Sequence, residues 1–227
     1  MTLVEERAAP PSARAPGHWE AVCRALQSEI ILGRLKPRER LVEDEVMARA
    51  AATRHAVRRA FDELERLGMV ARRSNRGVQV RDYTLAEVED LYEVRECLER
   101  QAASRFPLPP TPELIESLRL VAAEHERASR EKRFADIFHL NNRFHETLYA
   151  AAGNASLAEA IRHYTFATHP IRSRAFPSDE LREVAIRDHW AMIEAIGSQD
   201  RTRLAALIAE HIRRPMRYYI AQNLVSG

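Results

Sequence analysis

Apolar positions recur at three- and four-residue spacing over most of the chain, the pattern of amphipathic helices rather than of strands. A first helix is expected from about Gly17 to Leu32, with Gly33 as its C-terminal stop. "LKPRERL" reads as a connector and "VEDEVMARA" as a short helix. Thr53 is a good N-cap for the next helix, "RHAVRRAFDELERL", which Gly68 ends. Val57, Phe61, Leu64 and Leu67 form its core-facing stripe. Two short alternating runs follow, "MVARR" and "GVQVRD", joined by "SNRG", which predicts a β-hairpin. Three helices and a hairpin make a winged helix-turn-helix.

From residue 84 the pattern is helical throughout. "TLAE" at 84–87 is a capping box opening a long helix to about Phe106. "PLPPTP" is a break, and Thr111 with Pro112 starts the next helix. A third spans about 134–152 and ends at Gly153-Asn154, and "SLAE" at 156–159 reads as a second capping box. Ser178 caps a helix that stops at Gly197, and Asp200 caps the last one, which meets Pro215. The fold class expected is therefore mostly α. A winged helix-turn-helix at 16–82 follows a disordered tail at 1–15, and an all-helical bundle of about six helices fills 83–227.

Composition narrows the class. Hydrophobic residues make up 45% and charged residues 30%, the balance of a soluble globular protein. No apolar run approaches the ~20 residues of a membrane span, and "MTLVEERAAPPSARAPG" has no apolar core to act as a secretory signal. Cys23 and Cys97 suggest no disulfide framework. A cytoplasmic protein is expected, with no membrane partner. The net charge of +2 hides an asymmetry: residues 49–81 hold nine basic residues to three acidic. A compact basic block points to a local polyanion contact, although an ordinary solvated face has the same composition.

Thr53, Arg54, His55 and Arg58 occupy the first turns of the third helix, the part of a helix-turn-helix that faces base edges in the major groove. Arg72 and Arg76 flank the hairpin tip, where Gly77 permits close backbone approach. Pairing of these arginines with Asp62, Glu63 and Glu65 is the bland alternative, set aside because those acids lie C-terminal to the basic cluster. The segment from "SEIILGRLKPRERL" through "ARRSNRGVQV" resembles the DNA-binding domain of the GntR family of bacterial transcription regulators. It departs from that pattern where Arg38 and Ala51 replace glycines and Arg59 replaces a glutamate. The resemblance implies a double-stranded operator as partner and a homodimer, usually a repressor.

In "LNNRFHETLYAAAGN", Asn141 and His145 are four apart and share one helix face, among apolar and small neighbours. This stretch, with "DLYEVRECLE" and "DHWAMIEAIGSQDRTRLAALIAEHI", resembles the helical FCD effector domain of the FadR-like branch. The resemblance implies a divalent metal on Asn141, His145, His189 and His211, with asparagine standing where the family has aspartate. Three imidazoles and one side-chain oxygen suit zinc or nickel, with manganese as a further candidate. It also implies that Arg95 reaches into a cavity to bind the carboxylate of a small organic acid effector; Arg172 is a second candidate. A pair between Arg95 and Glu99 on the surface, and histidines satisfied by hydrogen bonds, are the structural alternatives. A regulator with the ion itself as effector is another reading. A metal-dependent hydrolase is weaker, since Glu146 beside His145 does not make H-E-x-x-H.

Overall fold

In the computed structural model, which describes residues 18–73, 77–175 and 177–225, helices α1 (His18–Ile31), α2 (Glu43–Ala50) and α3 (Arg54–Arg66) surround a small antiparallel sheet. The tail at 1–15 and Arg76 lie outside the described residues. The hairpin forms from β2 (Val70–Arg73) and β3 (Gly77–Val80), with Val70 opposite Val80. A third strand, β1 (Arg40–Leu41), joins the far side of β3 from within the segment read as a connector. Its two residues are too few to show an alternating pattern. Val57, Phe61 and Leu64 of α3 meet Leu26, Ile30, Met69 and Val80 in a closed core. Thr53 caps α3 as expected, its Oγ1 accepting from the Ala56 N–H at 3.2 Å.

The second half holds six long helices: α4 (Leu85–Arg105), α5 (Pro112–Arg130), α6 (Phe134–Ala150), α7 (Ala155–Ala167), α9 (Asp179–Gly197) and α10 (Arg201–Val225). A single turn, α8 (His169–Arg172), with a 3-10 turn after it, connects α7 to α9. α4 packs against α10 and α7, while α5 lies against α6 and α9. Phe106, Phe144, Leu148, Met192, Ile196 and Leu204 fill the space between them. The Thr84–Glu87 capping box and the caps at Thr111, Ser178 and Asp200 are all made. The second capping box is not. α7 starts earlier, at Ala155, and Asn154 caps it by accepting from the Leu157 N–H. α10 also runs on through Pro215 to Val225: a proline removes one helical hydrogen bond, and packing against α4 and α9 holds the rest.

The two halves meet at Tyr83. Its buried hydroxyl lies 2.8 Å from the carbonyl oxygens of both Gly68 and Ala167, so one proton serves the end of α3 and the end of α7. Gly68 is required here. Its φ is +71°, and a Cβ would sit 3.2 Å from the Ala167 methyl. Phe138 of α6 adds to the N-terminal core, and Tyr219 of α10 donates to Asp82 at 3.2 Å.

Arg38 and Ala51, which stand where the resembling family has glycine, keep the left-handed backbone that glycine would adopt, with φ of 68° and 47°. A non-glycine residue in that region carries about 1–2 kcal/mol of strain. Ala51→Gly is therefore expected to raise stability by about 1 kcal/mol after the added freedom of the unfolded chain is subtracted. Urea denaturation would register this as a higher midpoint at constant slope; an unchanged or lower midpoint would mean the turn is unstrained.

Candidate DNA interface and buried histidine site

Thr53, Arg54, His55 and Arg58 are all exposed at the start of α3. Each arginine already has acidic company. Arg54 bonds Asp44 at 2.7 Å and Glu43 at 3.3 Å, and Arg58 bonds Glu43 at 3.0 Å. On the hairpin, Arg72 bonds Glu65 at 2.7 Å and also Asp62, while Arg66 bonds Glu63 at 2.7 Å. The pairing set aside from the sequence is present only in part: Arg66 takes Glu63 and the hairpin brings Arg72 to Asp62 and Glu65, but Arg54 and Arg58 turn to the acids of α2 instead. These pairs are solvent-exposed, worth about 0–1 kcal/mol each, and can be exchanged for phosphate contacts. Arg59 is a packing residue, its guanidinium 4.4 Å from the Trp19 ring centre. Gly77 has φ +69°, with the Arg40 guanidinium close beside it.

Inside the bundle, His145 on α6, His189 on α9 and His211 on α10 bring ring nitrogens within 4.8 Å of one another. The Nε2 atoms of His145 and His211 are 3.0 Å apart. His211 Nδ1 lies 3.0 Å from the Asp188 carboxylate, which also takes Arg214. Donation from Nδ1–H to that carboxylate leaves the Nε2 lone pair facing the cluster, the orienting arrangement of metal-binding histidines. His189 is 1% exposed, and neither of its ring nitrogens has a hydrogen-bond partner among the described residues. The same holds for Nδ2 of buried Asn141, one turn from His145. Each orphaned buried polar atom costs about 1–3 kcal/mol, and a bound cation would offset that cost at the unprotonated nitrogen of His189, while Asn141 would turn its side-chain oxygen to the cation. Burial first, then the neighbouring His125 and His211, drive the His189 pKa well below its ordinary range, so its ring is neutral at pH 7. The residues present fit a borderline divalent metal.

Two buried histidines passed unsupported in the sequence. His125 of α5 has its ring centre 4.7 Å from that of His189 and an unpartnered Nδ1. Its place on the same stripe as Val121 and Ala128 made its burial legible. His169 sits in the single turn α8, where no periodicity exists to reveal it.

Arg95 and Glu99 do pair, at 2.7 Å, but not on the surface: they are 5% and 1% exposed. Arg95 also donates to Thr168 Oγ1 at 3.0 Å, and the Tyr149 hydroxyl donates to the other Glu99 oxygen. Arg172 is also buried, and its one side-chain hydrogen bond among the described residues is long, 3.5 Å to the Asn142 side-chain oxygen. Burial, and then repulsion from Arg95, bring its pKa down to about 10. It opens on a cavity shared with Asn141, His125, Asp188 and His211, and on a narrower one shared with Arg95 and His145.

A winged helix-turn-helix with a basic reading face, joined to a helical bundle built round polar side chains, is the architecture of a DNA-binding transcriptional regulator. The chain belongs to the GntR family of bacterial regulatory proteins: residues 19–80 match the gntR family itself, and residues 90–214, more than half the chain, match the FCD domain. The HTH-type transcriptional repressor RspR of Escherichia coli K12 is 24% identical over 86% of this chain and 85% of its own. The regulator YdhC of Bacillus subtilis is 24% identical over 82% of this chain and 84% of its own. The solved structure of E. coli McbR/YncC superposes with a TM-score of 0.78 at 18% identity, covering 92% of this chain and all of that one. These are regulators and not enzymes, which removes the hydrolase reading. Among the described residues, no helix is long and apolar enough to cross a membrane.

Two outcomes are expected. Arg54→Ala should lose about 1–3 kcal/mol on an operator duplex and little on a random one, whereas Arg72→Ala should weaken both and flatten the salt dependence. Titration of both duplexes at two salt concentrations tests this; equal loss on both for Arg54→Ala removes its base-reading role. The second concerns pH. His125 falls from an ordinary 6.5 to about 4 in the fold, and His189 falls well below it. The unfolded chain therefore binds more protons below about pH 6.5, so the stability is present above that pH and is lost as pH falls toward 4, by up to about 1.4 kcal/mol per pH unit for each histidine. Urea midpoints of the metal-free protein at pH 7 and pH 5 should differ accordingly; equal midpoints would mean these rings are already solvated.

Proposed function

We propose that the chain is a homodimeric repressor that reads operator DNA through residues 16–82 and senses a small organic anion through residues 83–227, with a divalent cation held by Asn141, His145, His189 and His211. The observation that carries this reading is Arg172, a guanidinium 8% exposed with no carboxylate partner among the described residues, beside a histidine cluster in which both ring nitrogens of His189 lack partners. Glu99 already neutralises Arg95, so Arg172 is the charge left for a ligand anion, with Arg95 behind it. When bound, the cation supplies positive charge and an open coordination position to a carboxylate oxygen. The unmatched Arg172 favours this over regulation by the ion alone. RspR is named a repressor, which supports the same sign of control here. Homodimerisation agrees with two-fold symmetric operator sites.

The same residues connect the cavity to α3. Arg172 lies in α8, directly after Thr168, which Arg95 holds by its hydroxyl. The preceding residue, Ala167, shares the Tyr83 hydroxyl with Gly68 at the end of α3. An anion that draws Arg172 toward it displaces α8, and this joint carries the displacement to the reading head.

Elemental analysis of untagged full-length protein is the test of the cation, with zinc, nickel and manganese reconstitution and the His145→Ala variant alongside. Wild type should retain about one equivalent and His145→Ala should lose it together with several degrees of melting temperature. Wild type that never retains stoichiometric metal would return the histidines to a hydrogen-bonded core. For the anion, Arg172→Leu should keep operator affinity and lose the melting-temperature rise that organic acids give wild type.

A further inference from the structure

A third cavity lies between α6 and α7, with His145 in its wall. Its walls include Ala158, Ile161 and Phe166, its polar members include His145, Tyr149 and His169, and the charged Glu146 and Arg162 also line it. It encloses about 200 Å³. An apolar cavity of about 150 Å³ is enough for benzene, so one substituted six-membered ring or a branched chain of like size fits. Ala158, with a single methyl, is one of its smallest lining side chains. His169 is 1% exposed, and both its ring nitrogens lack partners among the described residues. Phe138 and Phe166 meet its ring edge to face, at 4.7 and 5.0 Å, so no protein group satisfies it from those sides. A neutral imidazole offers one donor and one acceptor, and a hydroxyl can pair with either. The cavity also adjoins the anion site: Asn142 lines it and is the residue that Arg172 touches.

We infer that this cavity takes the body of the effector, and that the effector is a monocyclic aromatic or similarly sized branched carboxylic acid carrying a hydroxyl, its carboxylate toward Arg172 and its hydroxyl on His169. The inference rests on the anion reading for the carboxylate and stands on the cavity for the ring.

The probes are acetate, phenylacetate, 4-hydroxyphenylacetate and phenol, titrated calorimetrically into zinc-reconstituted full-length protein. Wild type should bind phenylacetate at least tenfold more tightly than acetate, and 4-hydroxyphenylacetate more tightly still. Ala158→Phe, which fills the cavity, should erase the advantage of both ring acids and abolish phenol binding while leaving acetate unchanged. His169→Phe should remove only the preference for the hydroxyl. Should Ala158→Phe fail to fold by circular dichroism, Ala158→Leu serves at smaller effect. Ring acids that bind no better than acetate, or that bind Ala158→Phe as well as wild type, would overturn the inference. Phenol separates the two readings: phenol bound in an Ala158-dependent way while acids gain nothing from Arg172 sinks the anion site alone, and phenol and ring acids that do not bind sink the cavity.

Discussion

The pair of charges on α4, Arg95 and Glu99, constrains everything around it. A buried ion pair adds little net stability, because desolvation takes back most of what attraction gives, but breaking one leaves a bare buried charge at a cost of about 3–5 kcal/mol. Its remaining hydrogen-bonding groups must therefore be met, and they are met by other elements. Thr168 at the α7–α8 joint takes one guanidinium nitrogen, and Tyr149 on α6 gives its proton to Glu99. Three parts of the bundle are thereby tied to one point. Tyr149 also stacks on His145, so the histidine cluster is positioned from the same point.

That arrangement leaves an imbalance. Arg95, Arg172 and Glu99 share this interior, and Glu99 is committed to Arg95, while the nearby carboxylate of Asp188 is taken by His211 and Arg214. The histidines beside them are neutral where burial dominates, as at His189, and so do nothing to correct it. A site built this way is selective for negative charge before any shape is considered.

What the sequence disclosed follows the range of the interactions. Caps at Thr53, Thr84, Thr111, Ser178 and Asp200 were legible because each involves residues three apart. The local pattern points to Ser156 as the start of α7, whereas Asn154 caps it, directly after the left-handed Gly153 that ends the preceding turn. Arg95 and Glu99 were visible as helix neighbours, but their burial comes from α7 and α10 packing over α4. The ion pairs of Arg54, Arg58 and Arg72 span seven to fifteen residues and cross between elements, beyond any local pattern. The histidine cluster was legible only through family resemblance, since its members come from three separate helices.

The contact at Gly68 has a mechanical consequence. α3 has 13 residues, so about 20 Å separate its two ends. Gly68 lies just past one end, pressed against the Ala167 methyl, and Arg54 begins the other. With Ala167 as fulcrum the helix is a lever, and its long arm carries the residues proposed to contact DNA. A tilt of about 5° moves Arg54 by about 2 Å, comparable with the whole working range of a hydrogen bond to a base edge. A glycine, by bringing two backbones this close, lets a very small rearrangement deep in the bundle become a misfit at the far tip.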